Sequence, residues 1–434
     1  MTFADFGLSE SILRAIAADG YHTPTPVQAA AIPHVLAGRD VLGSAQTGTG
    51  KTAAFALPLL HRMSQADAVR RGPSKPRALI LSPTRELAVQ IQDSCRAYGR
   101  HLAMRSTVVI GGVGQQSQVR ALQRGTDLLI ATPGRLVDLY QQGFVKLDAV
   151  EHFVLDEADR MLDMGFVPAV KRIIGYLPPQ RQTLLFSATM PPAIAALAAG
   201  ILRDPAHVRV APVKATTALI DQAVCFVPQA QKAKLLIALL KQEAADRVIV
   251  FTRTKRGADR VAEQLRRTGI RAEAIHGNKS QNARQRALEN FKSKRPPILV
   301  ATDLAARGID VDEVSHVFNF DLPDEPETYV HRIGRTGRAG AEGKAMAFCS
   351  PDERQQLAGI ERLLRSKLPV YRGAALAEIN VNTEPKAEPS TSARPAAKLR
   401  AQGSHAPGKR PTHGFRGQRS SRPPHRGAKL ATTS

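Results

Sequence analysis

The string AQTGTGKT, residues 45 to 52, has the residue types and spacing that hold a phosphate chain. It follows the apolar pair Val41 and Leu42 and opens a helix-like segment. Gly48 and Gly50 let backbone N–H groups curl around an anion, Lys51 can reach β- and γ-phosphates, and the Thr52 hydroxyl can ligate Mg²⁺. Thr47, Gly48, Thr49, Gly50, Lys51 and Thr52 are therefore the expected triphosphate contacts. Ala45 stands where the strict pattern has its first glycine. Such a loop names no reaction by itself, because kinases, GTPases and motors share it.

About a hundred residues on, HFVLDEADRML places carboxylates after an apolar run that ends at Leu155. A buried strand ending in acids suits metal-assisted phosphoryl transfer. Asp156 is the expected Mg²⁺ ligand, and Glu157 is positioned to orient or deprotonate the attacking water. Gln28 carries an amide that can pair bidentately with adenine N6 and N7, which selects ATP over GTP.

Short apolar runs alternating with helix-length segments must position these groups. VLGSA, RALILSP, STVVIGG, DLLIATP, HFVLDEA and QTLLFSAT read as buried strands of the first half. Leu87, Ile91 and Cys95 form an amphipathic stripe on the helical segment that starts at Thr84. The pattern breaks around Val213 to Leu219 and restarts with QAVCFV, RVIVFT, AEAIHG, PILVAT, HVFNFD and AMAFCS. This βαβ alternation predicts parallel sheets covered by helices on both faces. Every strong polar string falls at the end of one of these strands, the edge where open α/β sheets bind ligands.

Composition sets the partners. The 434 residues suit two domains and a tail, and the formal net charge of +23 points to a polyanion. From Thr383 to Ser434 four Lys and seven Arg face two Glu, a net +9, with Phe415 the sole aromatic. That stretch is expected to be a disordered basic tail, its histidines solvated spacers. No run approaches the ~20 apolar residues that span a bilayer, and MTFADFGLSE lacks the features of a signal peptide. A cytoplasmic protein without membrane partners is expected. Cys95, Cys225 and Cys349 lie far apart in apolar contexts, as reduced core thiols do.

Taken in order, SPTREL, GG at 111 and 112, ATPGR, LDEAD, FSATM, VFTRT, IHGNKSQNAR, ATDLAARGID and YVHRIGRTGR resemble the motif set of the DEAD-box RNA helicases. GYHTPTPVQ, with Phe3 seventeen residues before Gly20, looks like that family's Q motif, and the resemblance runs from Phe3 to about residue 350. VLDEADRMLDMGF and the short basic tail look like the bacterial RhlE-type branch. The resemblance implies two tandem RecA-like domains. They are expected at 1–212 and 220–372, joined by a linker at 213–219 and followed by an extension and tail at 373–434.

The same resemblance assigns further roles. Phe3 would pack by the base, Asp310 would hold the ribose, and the Gly308 backbone would approach the γ-phosphate. Arg335 and Arg338 would be arginine fingers, with Arg332 less secure because three arginines cannot all reach one phosphate. Asp159, Ser187, Thr189 and His331 would couple the ATP site to the second domain, although SAT alone reads as a small-residue turn. RNA would meet Thr84, Arg85, Gly111, Gly112, Thr132, Gly134 and Arg135 from the first domain. Arg253, Gly277, Gln281, Arg284 and Thr302 would meet it from the second. Such contacts hold phosphate and sugar and read no sequence. With 5% aromatics and no Trp, the chain shows no sign of a stacking platform.

The expected activity is ATP- and Mg²⁺-dependent RNA unwinding by local separation of short duplexes. The alternatives are an ATP-gated RNA clamp that hardly unwinds and a DNA helicase. Ribosomal particles or RNA-decay proteins are the expected protein partners.

Overall fold

Six buried strands were expected in the first half, and they form one sheet. In the computed structural model they are β1 (Val41–Ser44), β2 (Ala78–Leu81), β3 (Ser106–Val109), β4 (Leu128–Ala131), β5 (His152–Leu155) and β6 (Gln182–Ser187). A seventh, β7 (Ala206–Arg209), completes the order β3-β4-β2-β5-β6-β1-β7, parallel throughout. Side chains alternate across the sheet, so each strand feeds two cores. Ile80, Ile130 and Val154 face one, and Leu79, Leu129 and Phe153 face the other. β7 left no apolar run, because it is an edge strand that buries Ala206 and Val208 and exposes His207 and Arg209.

The second sheet comprises β8 (Ile220–Phe226), β9 (Val248–Phe251), β10 (Ala272–Ile275), β11 (Ile298–Ala301), β12 (His316–Asn319) and β13 (Gly343–Cys349). It runs β10-β11-β9-β12-β13-β8, again all parallel. Val250, Val300 and Phe318 enter one core, and Ile249, Leu299 and Val317 the other. A short helix at Ala374–Glu378 adds Ala375 and Leu376 to the first of these, so the packed chain continues past residue 372. Residues Met1–Thr383 cluster as one compact unit.

The structure describes residues 1–45, 48–65, 74–210, 220–242, 245–306, 314–337 and 342–378. Thr47, Gly308, Asp310, Arg338, the expected linker at 213–219 and the tail from 379 on lie outside the described residues. Cys95, Cys225 and Cys349 are buried free thiols. Among the described residues no helix is long and apolar enough to cross a membrane.

Candidate functional site

Three motif-bearing strands lie side by side. β6 sits between β1 and β5, with Ser44 opposite Ser187 and Leu155 opposite Leu185. The phosphate loop, SAT and LDEAD therefore leave one sheet edge together. Gly48 and Gly50 take positive φ, and the helix Lys51–Gln65 begins directly behind them. Its N-terminus presents backbone N–H groups where an anion would dock. Lys51 is buried, and its ammonium donates to the Ala45 carbonyl at 2.8 Å. That bond keeps the cation inside the loop that carries it.

Asp156 is buried, and its Oδ1 has no hydrogen-bond partner among the described residues. Burial pushes its carboxyl well above the usual range, Lys51 pulls it back, and Glu157 pushes it up again. A desolvated, unpartnered carboxylate oxygen fits a bound cation, which would supply what the protein does not. Glu157 adopts left-handed backbone at φ 54°. Such strain in a non-glycine residue survives only where its surroundings enforce it. The Arg160 guanidinium donates to Glu157 Oε2 at 2.7 Å in a buried pair.

The next acid is wired to SAT. Asp159 Oδ2 accepts from the Thr189 backbone at 2.8 Å and from its hydroxyl at 2.9 Å. The Asp159 N–H reaches Ser187 Oγ at 3.1 Å, and that hydroxyl donates to the Thr189 carbonyl at 2.7 Å. Three bonds thus join LDEAD to FSATM and a fourth closes the SAT turn on itself, which is more than a turn of small residues requires.

At the expected base end, Gln28 sits in the first turn of the helix Pro26–Leu36. Its Oε1 accepts from the Thr25 N–H at 2.9 Å, and its Nε2 donates to the Gly50 carbonyl at 3.1 Å. A Cβ at Gly50 would collide with the Gln28 amide, so a side chain there would displace that amide as well as strain the positive φ. An amide has two N–H groups and two acceptor lone pairs, so one of each remains for a purine edge. Phe3 lies in the core with Leu8 and Ile12 and meets Tyr21 edge-on, supporting this segment from beneath. Gln28→Ala should reduce the ATP/GTP preference in steady-state turnover without unfolding the protein, and an unchanged preference would remove Gln28 as the adenine reader.

The arginines of the second half separate cleanly. Arg332 is 2% exposed and forks onto Asp303 at 2.6 and 2.8 Å. It also donates to Asn319 Oδ1 at 3.0 Å and the Asp321 carbonyl at 2.6 Å, and its guanidinium lies over the Phe251 ring at 5.1 Å. It ties the ends of β11 and β12 together, with four of its five N–H groups engaged there. Arg335 is buried as well, with Nε 3.4 Å from the His331 carbonyl. Arg335, His331, Asp303 and Thr328 share a cleft with Arg160 of the first half.

The expected RNA surface is assembled in part. Thr84 caps its helix by accepting from the Leu87 N–H, and Thr132 occupies the N-cap position of the helix Pro133–Gln141 without a side-chain capping bond. Arg85 lies across the GG turn, where a Cβ on Gly112 would strike its guanidinium. Gly134 has open space around it, and Arg135 donates to the Val113 carbonyl at 3.4 Å. Gly277 lies beside the Lys255 side chain, and Thr302 is buried at the end of β11. Arg253 is more committed than expected. It donates to Glu353 at 3.0 Å and to the Leu322 carbonyl at 3.1 Å, within a network centred on buried Lys232, Glu353 and Asp321.

Gln281 and Arg284 both turn toward Glu86, at 2.9 Å each, across the two halves. Their i, i+3 spacing puts them on one helix face. Glu86 was missed because an acid in a helix's first turn needs no other reason to be there. Arg160 was hidden in the same way, as one more charge after DEAD.

A model of the DEAD/DEAH box helicase family matches residues 25–197, and one of the helicase conserved C-terminal domain matches residues 231–340. The chain is 44% identical over 368 residues to an ATP-dependent RNA helicase CshA of Limosilactobacillus reuteri, covering 85% of this chain and 73% of that protein. It is 44% identical over 367 residues to the DEAD-box ATP-dependent RNA helicase CshA of Geobacillus kaustophilus, covering 85% and 77%. The structure of S. cerevisiae Dbp5 bound to RNA and ADP BeF3 matches with a TM-score of 0.75 and 30% identity, over 85% of this chain and 95% of that one.

Proposed function

The chain belongs to the DEAD-box ATP-dependent RNA helicase family, and from that premise we propose which of its residues carry ATP hydrolysis and strand separation. It binds RNA and ATP and parts short duplexes as it hydrolyses the nucleotide. The observation that carries the residue assignment is the buried, unpartnered Asp156 oxygen at a sheet edge shared with Lys51, beside a cleft lined from both halves.

Lys51 and the N–H groups of 47 to 52 hold the triphosphate, and Gln28 reads the base. Thr52 and Asp156 would hold Mg²⁺, which supplies charge neutralisation on the phosphate oxygens when bound. Glu157 takes the proton of the water that attacks the γ-phosphorus as the bond to the β–γ bridging oxygen breaks and ADP leaves. Arg335 and Arg338 offer planar forks to the transferring phosphoryl oxygens. Asp310 holds the ribose, and the Gly308 backbone approaches the γ-phosphate. Asp159, Ser187, Thr189 and His331 carry the nucleotide state toward the second half.

RNA runs along Thr84, Arg85, Gly111, Gly112, Thr132, Gly134 and Arg135, and along Arg253, Gly277, Gln281, Arg284 and Thr302. These contacts hold the strand by its backbone, independently of sequence. The Glu86 contacts to Gln281 and Arg284 support a closed arrangement in which both halves grip one strand. Division at 1–212 and 220–372 follows the two sheets. The RhlE-type branch has VLDEADRMLDMGF as its support, whereas the relatives above carry the CshA name. A cytoplasmic place in ribosome assembly or RNA turnover suits a helicase of this class.

ATPase assays with RNA and DNA of one sequence, run beside duplex release, test the reading. RNA should stimulate and DNA should not, and Lys51→Ala should abolish both turnover and release. Equal stimulation by DNA would refute RNA selectivity. ATP-dependent RNA retention without release would favour the clamp. Crosslinked cellular RNAs containing neither ribosomal precursors nor decay intermediates would remove both pathways.

A further inference from the structure

A cleft of about 650 Å³ on the first half is lined by Gln115, Gln116, Val119, Arg120, Gln123 and Phe144. Its volume falls in the range of small-ligand sites. It begins at Gly114, two residues after the GG turn, and the intervening Val113 carbonyl accepts from Arg135. The cleft is thus continuous with the RNA path assigned above, and the inference rests on that path.

Phe144 is 40% exposed, and among the described residues it is the one exposed phenylalanine. It is held rigidly. Gly143 takes φ 78° after the helix Pro133–Gln141, with its N–H on the Tyr140 carbonyl at 2.9 Å and the Phe144 N–H on the Leu139 carbonyl at 3.0 Å. Those two bonds are the Schellman motif, in which the residue in the Phe144 position ordinarily packs back on its own helix. Here Phe144 stays partly open to solvent at the cleft wall.

The opposite wall is the helix Gln115–Gln123. Gln115 donates to Gln142 at 2.6 Å, which bridges the two walls. The Gln116 and Gln123 amides and the Arg120 guanidinium are exposed and form no hydrogen bond to described residues. A flat apolar ring facing amides and a guanidinium offers a base both a stacking surface and partners for its edge.

We propose that this cleft is a nucleobase subsite, taking one base of the RNA strand where the strand leaves the Gly111–Gly112 turn. The ring of Phe144 stacks on the base, the glutamine amides meet its polar edge, and Arg120 meets the adjoining phosphate. Because every base has a π-face, the subsite is tolerant of sequence. It adds an anchor outside the core contacts, which hold only backbone.

Binding of fluorescent RNAs to the full chain tests this, using one strand confined to the core contacts and one extended by several nucleotides at each end. Phe144→Ala should weaken the extended RNA about ten-fold and leave the short one unchanged. Phe144→Tyr should restore affinity, and Phe144→Leu, apolar but without a π-face, should not. A 2-aminopurine in the extension should be quenched by wild-type protein and not by Phe144→Leu. Equal affinity of wild type and Phe144→Ala for the extended RNA, or full rescue by Phe144→Leu, would overturn the subsite. The helicase reading would then still stand on RNA-stimulated ATPase. Wild-type protein without RNA stimulation would instead defeat that reading.

Discussion

Glu157→Gln should lower ATP turnover by about two to four orders of magnitude, the range that a positioned general base supplies. The substitution keeps shape and removes only the proton acceptor. The amide oxygen can still accept from Arg160, now 2.7 Å away, so the left-handed backbone at Glu157 should persist. Asp156 is untouched, and nucleotide and RNA should still bind. The protein should therefore accumulate as a long-lived complex with both ligands. Single-turnover hydrolysis and the RNA off-rate measure the two effects. Hydrolysis by Glu157→Gln at the wild-type rate would transfer the base to another group.

Two arginines three residues apart should fail in opposite ways. Arg335→Ala should lower turnover by about three orders of magnitude, as loss of an arginine finger does, and leave the protein folded. Arg332→Ala should instead cost about 3 kcal/mol of stability, the low end for breaking a buried ion pair, because Asp303 remains 28% exposed. It strands Asp303, Asn319 Oδ1 and the Asp321 carbonyl and removes the cation over Phe251. Denaturant unfolding and ATPase on the same preparations separate them. A stable Arg332→Ala with no activity would return Arg332 to the phosphate.

What the sequence made legible follows from physics that acts locally. Strands buried on both faces, such as β2, β4 and β9, leave unbroken apolar runs that can be read directly; β7, which buries alternate residues at an edge, could not be. The phosphate loop and LDEAD were legible because their chemistry fixes residue type and spacing. The division of labour within HRIGRTGR was not, since Arg332 and Arg335 differ only in what the fold brings to them. Arg253 and Glu86 make the same point. Each meets partners more than sixty residues away, at Leu322 and Glu353 for one and at Gln281 and Arg284 for the other, and no spacing rule reaches that far.

The bond from Gln28 to the Gly50 carbonyl has a kinetic meaning. That carbonyl belongs to the peptide immediately before Lys51, so the side chain proposed to inspect the base also holds the stem of the lysine proposed to serve the phosphates. A guanine edge presents an acceptor where adenine presents a donor, and it pulls the amide out of register with its backbone partner. The error then travels along one hydrogen bond into the reaction centre. Saturating GTP should thus turn over more slowly than saturating ATP, with discrimination appearing in kcat as well as in KM. A wrong nucleotide that fills the pocket would still be a poor fuel, and the enzyme would reject it at the moment of chemistry as well as at the door.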